Sequence, residues 1–175
     1  MHNYRLAAIP GDGIGPEVIE AGLEVLRVCA ATDGGFSVAI EAFDWNSENY
    51  LRDGHYIPSG GLEQLRTFDA ILFGAVGSQR VPDDVSLWGL RLAIVQAFDQ
   101  YANVRPARLL PGVTSPLAKG GEIDWVIVRE NSEGEYAGHG GRAHRGLPIE
   151  VGTETAVFTR VGVERIHRFA FELAS

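Results

Sequence analysis

Short apolar runs alternate with wider, helically spaced apolar positions along the first half of the chain. Tyr4 to Ile9 is a strand-length run that ends in Pro10-Gly11-Asp12-Gly13-Ile14-Gly15, where the glycines permit a tight turn. Pro16 follows at the position a helix favours for its first residue, and Glu17 puts a carboxylate in the first turn. Ile19, Leu23, Leu26 and Ala30 recur at helical spacing, which predicts an amphipathic helix over 16–31, ended by Asp33-Gly34-Gly35. Phe36 to Phe43 alternates as a strand, Pro58 to Phe68 reads as a short helix, and Asp69 to Phe73 has a buried-strand pattern terminated by Gly74 and Gly77. Strand–helix–strand alternation of this kind predicts an α/β fold with helices on the faces of a parallel sheet.

The second half reads differently. Val85 to Gln100 is helical through Leu87, Leu90, Leu92, Ile94 and Phe98, until Asn103-Val104-Arg105-Pro106, where proline disfavours helix at the residue before it. Val104 to Leu110 is therefore extended, and Pro111 to Gly121 is a loop rich in Gly, Pro and Ser. Trp125 to Val128 is the next strand, followed by a polar, glycine-rich segment from Glu130 to Gly146. Pro148 to Thr159 alternates, as an antiparallel strand or clasp would. Thr159 caps a last helix with Val163, Ile166, Ala170 and Leu173 along one stripe.

Composition narrows the possibilities. With 175 residues, 45% hydrophobic and 22% charged, the chain can bury a core and is not disordered. Its length allows one domain, or two lobes sharing a sheet. Asp plus Glu number 23 against 15 Lys plus Arg, a net charge of -8 that opposes a nucleic-acid footprint. The single cysteine, Cys29, cannot form an internal disulfide, and on an apolar helix it reads as a small core residue. No signal-peptide pattern is present and no apolar run reaches membrane-spanning length, so a soluble cytoplasmic protein without a membrane partner is expected.

Three segments could carry chemistry. The Gly11–Gly15 turn sits between a strand and a helix N-terminus, where backbone N–H groups can approach an anion or a cofactor ring. It is not the dinucleotide fingerprint, because Gly15 falls one residue early for GxGxxG, and a structural turn would look similar. Phe73-Gly74-Ala75-Val76-Gly77-Ser78 places glycines at the carboxyl end of a strand, where open α/β sheets bind ligands; an ordinary strand exit is the alternative. Arg105 begins an extended segment and Arg129 ends a strand, with Tyr136 seven residues later. Two arginines suit bidentate recognition of a carboxylate-bearing substrate, with a tyrosine as hydrogen-bond donor or proton relay. The competing reading pairs both arginines with Asp or Glu, which outnumber the basic residues here. His139 and His144, near Arg142 and Arg145, read as a solvated loop rather than metal ligands, and no metal site is assigned to this chain.

Four segments in order resemble the β-decarboxylating dehydrogenases that act on isopropylmalate, isocitrate, and tartrate or D-malate. They are Ile9-Pro10-Gly11-Asp12-Gly13-Ile14-Gly15-Pro16-Glu17-Val18, Phe73-Gly74-Ala75-Val76-Gly77, Asn103-Val104-Arg105-Pro106-Ala107 and Val128-Arg129-Glu130-Asn131-Ser132-Glu133-Gly134-Glu135-Tyr136. Ser86-Leu87-Trp88-Gly89-Leu90 with Phe98-Asp99-Gln100-Tyr101 is most similar to the tartrate/D-malate branch. The resemblance implies a two-lobed isopropylmalate-dehydrogenase-like fold, of which this chain is the front half. Residues 1–103 would belong to a large cofactor-binding lobe and 104–175 to a small lobe with a clasp at 136–159. It implies oxidation of a small 2-hydroxy dicarboxylate with NAD (or NADP) and Mg²⁺ or Mn²⁺, followed by decarboxylation, in a homodimer. Arg105 and Arg129 would hold carboxylates, and Tyr136 would protonate the enolate left after CO₂ departs. Gly13, Ile14, Gly74, Ala75, Val76 and Gly77 would approach the cofactor.

Two departures qualify that reading. The family places a further arginine where Val95 stands, and Arg91, one helical turn earlier, is the candidate replacement. The family's lysine base, metal-binding aspartates and adenine-binding loop have no counterpart in residues 1–175, whose only lysine is Lys119. The chain is then expected to be part of an enzyme, forming little or no NADH by itself. The alternative is an inactive family member serving as a carboxylate-binding or assembly module. Exposed strand edges and helix faces are expected in either case.

Overall fold

The computed structural model describes residues 2–118 and 123–175; the end of the predicted Pro111–Gly121 loop and Lys119 lie outside them. The chain divides into two compact units, Met1–Ala97 and Phe98–Ser175.

In the first unit, β1 (His2–Gly11) pairs in parallel with β2 (Phe36–Ala42) on one side and β3 (Ala70–Ala75) on the other. This is the parallel sheet that the alternating pattern predicts. Between β1 and β2 runs α1 (Gly15–Asp33), which begins with Pro16 in its first turn and stops where Gly34 turns left-handed at φ 70°. Leu6, Ala7, Ala8 and Ile9 of β1 are buried, Ile19 of α1 packs with them, and Phe43 and Trp45 meet edge-on beyond β2.

Four boundaries differ from the sequence pattern. The stretch between Phe43 and Pro58 holds a helix that apolar spacing did not mark, α2 (Ser47–Asp53), opened by Asn46, whose side chain accepts from the Asn49 N–H. The predicted helix over 58–68 shrinks to α3 (Gly61–Leu65), because Gly60 at φ 80° resets the backbone just before it. β3 continues through Gly74, where the absent side chain lets the strand lie against the Pro10 carbonyl. The predicted 85–100 helix is α4 (Asp83–Ser86), a π-helical turn (Leu87–Arg91) and α5 (Leu92–Ala97). Gly89 within the π turn lies against the Tyr56 ring, where a methyl group would come within 3.0 Å of a ring carbon. Cys29 is exposed on α1, not a core residue, because the helix buries the Ile19 side instead.

The second unit is built from two antiparallel ribbons and a helix. β4 (Ala102–Arg108) pairs with β5 (Asp124–Glu130), and β6 (Gly134–Ala143) pairs with β7 (Val151–Val157). The stretch read as a polar segment from Glu130 to Gly146 is thus largely strand, and His139 and Arg142 belong to it rather than to a loop. β7 bears out the antiparallel alternative for 148–159. α6 (Arg160–Ala174) begins at Thr159, whose Oγ1 accepts from the Gly162 N–H at 3.0 Å. Trp125, Val126 and Ile127 of β5 are half exposed, as are Val151 of β7 and Leu173 of α6.

Candidate functional site

In the first unit the glycine turn and the end of β3 are fastened to each other by Asp12. Its backbone N–H donates to the Ala75 carbonyl at 2.7 Å, and its carbonyl accepts from the Gly15 N–H at 2.8 Å. Its carboxylate accepts from the Ser47 N–H (2.7 Å), the Ser47 hydroxyl (2.6 Å) and the Gly77 N–H (2.9 Å). With its proton given to Asp12, Ser47 Oγ accepts from the buried Tyr56 hydroxyl at 2.8 Å. Burial pushes the Tyr56 phenol above its ordinary value, so it remains a donor. Sequence reasoning assigned Asp12 nothing, since its partners lie 35 and 65 residues away.

The glycines of the two segments divide by role. Methyl groups on Gly11, Gly15 or Gly74 would overlap the backbone of Ala75 or Pro10, so these three serve the close passage of β1's end past β3. Gly13 (φ 57°) and Gly77 (φ 146°) face open space, and Ile14 is 62% exposed at the start of α1. Those positions, with Ala75 and Val76 between them, are where backbone could meet a cofactor. Further along, Val95 is packed in the core and Arg91, closing the π turn, is half-buried.

In the second unit the register of β4 and β5 sets Asn103 opposite Arg129 and Arg105 opposite Ile127. Alternate residues of a strand point to one face, so Asn103, Arg105, Ile127 and Arg129 share a face, with the two arginines diagonal neighbours. Arg105 Nε donates to Asn103 Oδ1 at 3.2 Å, and Asn103 Nδ2 donates to Asn131 Oδ1 at 3.4 Å. Asn131, 5% exposed, also donates to the Tyr101 carbonyl from its backbone (2.8 Å) and to the Gln100 carbonyl from its amide (3.2 Å). The asparagines of the two motifs thus tie the motifs together, a role their spacing did not reveal.

Arg129 Cζ lies 5.0 Å from the centroid of the Tyr136 ring, so these two predicted residues are brought into contact. Among the described residues, no carboxylate forms an ion pair with Arg105 or Arg129. The acids nearest in sequence are engaged elsewhere. Glu130 accepts from the Ser132 N–H (2.9 Å), the Ser132 hydroxyl (2.6 Å) and the Glu133 N–H (2.6 Å). Glu133 accepts from the Thr159 hydroxyl (2.5 Å) and N–H (2.9 Å), which hold its carboxyl below the usual glutamate range. Arg165 of α6 completes the arrangement: it donates to both Asp99 oxygens (3.0 and 2.9 Å) and to Ser132 Oγ (2.8 Å), and it lies over the Tyr101 ring.

Among the described residues, no group of three or more His, Cys, Asp or Glu side chains could hold a metal ion. No helix among them is long and apolar enough to cross a membrane.

A parallel α/β unit with glycine turns at its strand ends, and a unit of two antiparallel ribbons and a helix, define a mixed α/β protein. Residues 5–175 match the isocitrate/isopropylmalate dehydrogenase family, and the chain belongs to that family of oxidoreductases. A probable tartrate dehydrogenase/decarboxylase of Agrobacterium vitis is 64% identical over 99% of this chain and 49% of its own length. The D-malate dehydrogenase (decarboxylating) of Escherichia coli (strain K12) is 52% identical over 99% of this chain and 49% of its own length. The crystal structure of isocitrate dehydrogenase from Methylococcus capsulatus aligns with a TM-score of 0.77 at 30% identity, covering 99% of this chain and 48% of that one. The chain thus spans about half the length of the curated relatives it matches, and holds about half of the fold.

Proposed function

We propose that this chain supplies the carboxylate-holding part of an enzyme that oxidises and decarboxylates a 2-hydroxy dicarboxylate, such as tartrate or D-malate, with NAD. The observation that carries this reading is the shared face of Arg105 and Arg129, with no ion pair from either to a carboxylate among the described residues and with Arg129 lying over Tyr136. A guanidinium offers a planar pair of donors to a carboxylate, and two of them on adjacent strands can engage one small dianion. Asn103 steadies Arg105 from its own strand. Tyr136, beside Arg129, would hand its phenolic proton to the enolate carbon once CO₂ has left, breaking an O–H bond and forming a C–H bond. The Arg129 guanidinium over the ring favours the phenolate that results.

NAD, when bound, supplies the hydride acceptor for the hydroxyl-bearing carbon. The backbone at Gly13, Ile14, Gly74, Ala75, Val76 and Gly77 would hold it, with Asp12 fixing the two segments together. No step is assigned to Mg²⁺ or Mn²⁺ on this chain's residues. Arg91 would take over part of the carboxylate holding that Val95, a core residue, does not provide. The β6–β7 ribbon as a homodimer clasp, the two-lobe division at 103/104 and a cytoplasmic location belong to the same proposal.

Titration calorimetry of the protein with D-malate, tartrate and a monocarboxylate tests the reading. Arg105→Gln and Arg129→Gln are each expected to weaken dicarboxylate binding about tenfold to hundredfold, since a charged hydrogen bond contributes about 1.5–3 kcal/mol. Equal affinity in wild type and both variants, or no preference for two carboxylates over one, would overturn it.

A further inference from the structure

We propose that Glu133 is a positioning residue for the Arg129–Tyr136 pair. The inference rests on the reading of those two residues given above, and concerns what holds them in register. Arg129 ends β5 and Tyr136 begins β6, yet no ladder joins β5 to β6 among the described residues; each strand pairs only with its own partner, β4 or β7. Sheet hydrogen bonding therefore does not set the 5.0 Å approach of guanidinium to phenol. The six residues between them join the two strands directly.

That turn is tied to the rest of its unit at several points: Asn131 reaches Gln100, Tyr101 and Asn103, and Glu133 reaches Thr159. Glu130 gathers the Ser132 hydroxyl and the Ser132 and Glu133 N–H groups, which shapes the turn, and its carboxylate also lies 3.7 Å from the Arg165 guanidinium of α6. Glu133 ties the turn to the junction of β7 and α6: its two carboxylate oxygens take the N–H and hydroxyl of Thr159. Because β7 pairs with β6, and Gly134 pairs with Val157, this bond fixes the first residues of β6 against their own partner strand. The surroundings are shaped to receive it. A methyl group on Gly162 would overlap the Glu133 carboxylate, and one on Gly134 would come within 3.3 Å of the Phe158 ring. Arg165 adds a second tie from α6 through Ser132 Oγ. Without the Glu133 side chain, the start of β6, two residues before Tyr136, loses its tie to the β7–α6 junction.

The side-chain Nε–H resonance of Arg129, displaced by the Tyr136 ring current, reads the contact directly, with Tyr136→Leu giving the value for its loss. Arg5, whose guanidinium lies 4.5 Å from the Phe68 centroid in the first unit, is the internal control. In Glu133→Ala the Arg129 resonance is expected to move most of the way to the Tyr136→Leu value while Arg5 stays in place. D-malate binding is expected to weaken about tenfold, the scale that small misplacement of a binding group produces. Glu133→Gln, which still accepts from the Thr159 N–H, is expected to fall between. An unmoved Arg129 resonance in Glu133→Ala, with only α6 amides perturbed, would show that Glu133 serves the helix alone and would overturn the proposal. Should Glu133→Ala lose the Arg5 signal as well, Thr159→Ala decides, because it keeps the carboxylate and removes its hydroxyl partner; no movement of Arg129 there overturns the proposal. A moved Arg129 resonance in a protein that binds no dicarboxylate sustains the positioning role and contradicts the proposed function instead.

Discussion

Among the described residues, every fully packed apolar side chain lies before Phe98; from there onward the large apolar side chains are half-buried or exposed. Ile9, Leu65, Leu90 and Leu92 are fully buried, whereas Trp125, Ile127, Phe158, Val161 and Phe171 are half exposed or more. The first unit is held by apolar burial around a parallel sheet. The second is held by polar stitches: Asn131 between two motifs, Glu130 within its turn, Glu133 at the α6 cap, and Arg165 on Asp99. Since one intramolecular hydrogen bond contributes only about 1 kcal/mol net, the two units should respond very differently to mutation.

The contrast can be broken most forcefully in the first unit. Leu90→Ala is expected to cost about 2–5 kcal/mol, as cavity-forming core substitutions do, measured by denaturant unfolding followed through Trp45. A cost below 1 kcal/mol would mean that the apolar core is not what holds residues 1–97. A smaller but more local effect is expected for Asp12→Ala, which removes the acceptor of three hydrogen bonds. The loss should be about 1.5–3 kcal/mol, with faster amide exchange at Gly77 and Ser47 while β1 remains protected. Least of all should follow from Phe171→Ala, at a side chain 74% exposed: within about 0.5 kcal/mol of wild type by the same unfolding measurement. A large loss there would show that the α6 face is covered in solution.

The same contrast explains what could be foreseen. The β1–turn–α1–β2 stretch was legible because its apolar spacing, Pro16 and Gly34 all point to the same elements, and Arg129 falls at the end of β5 as read, whereas Arg105 stands midway along β4 and not at the start of its strand. α2 was not legible because Ser47 to Asp53 has little apolar periodicity; its signals are the Asn46 cap and the stop at Gly54. β6 escaped because its glycines have low strand propensity and only its pairing with β7 holds it extended. The structural work of Asp12, Asn131 and Glu133 depends on partners far along the chain, which no local pattern carries.

The central claim is that Arg105 and Arg129 act together on one dianion, and a double-mutant cycle in D-malate binding tests it most directly. With Arg105→Gln, Arg129→Gln and the double variant measured by calorimetry, groups that share a ligand should couple by more than about 0.5 kcal/mol. Strictly additive losses would mean that the two guanidinium groups hold separate ligands, and unchanged binding in all three variants would mean that neither holds any.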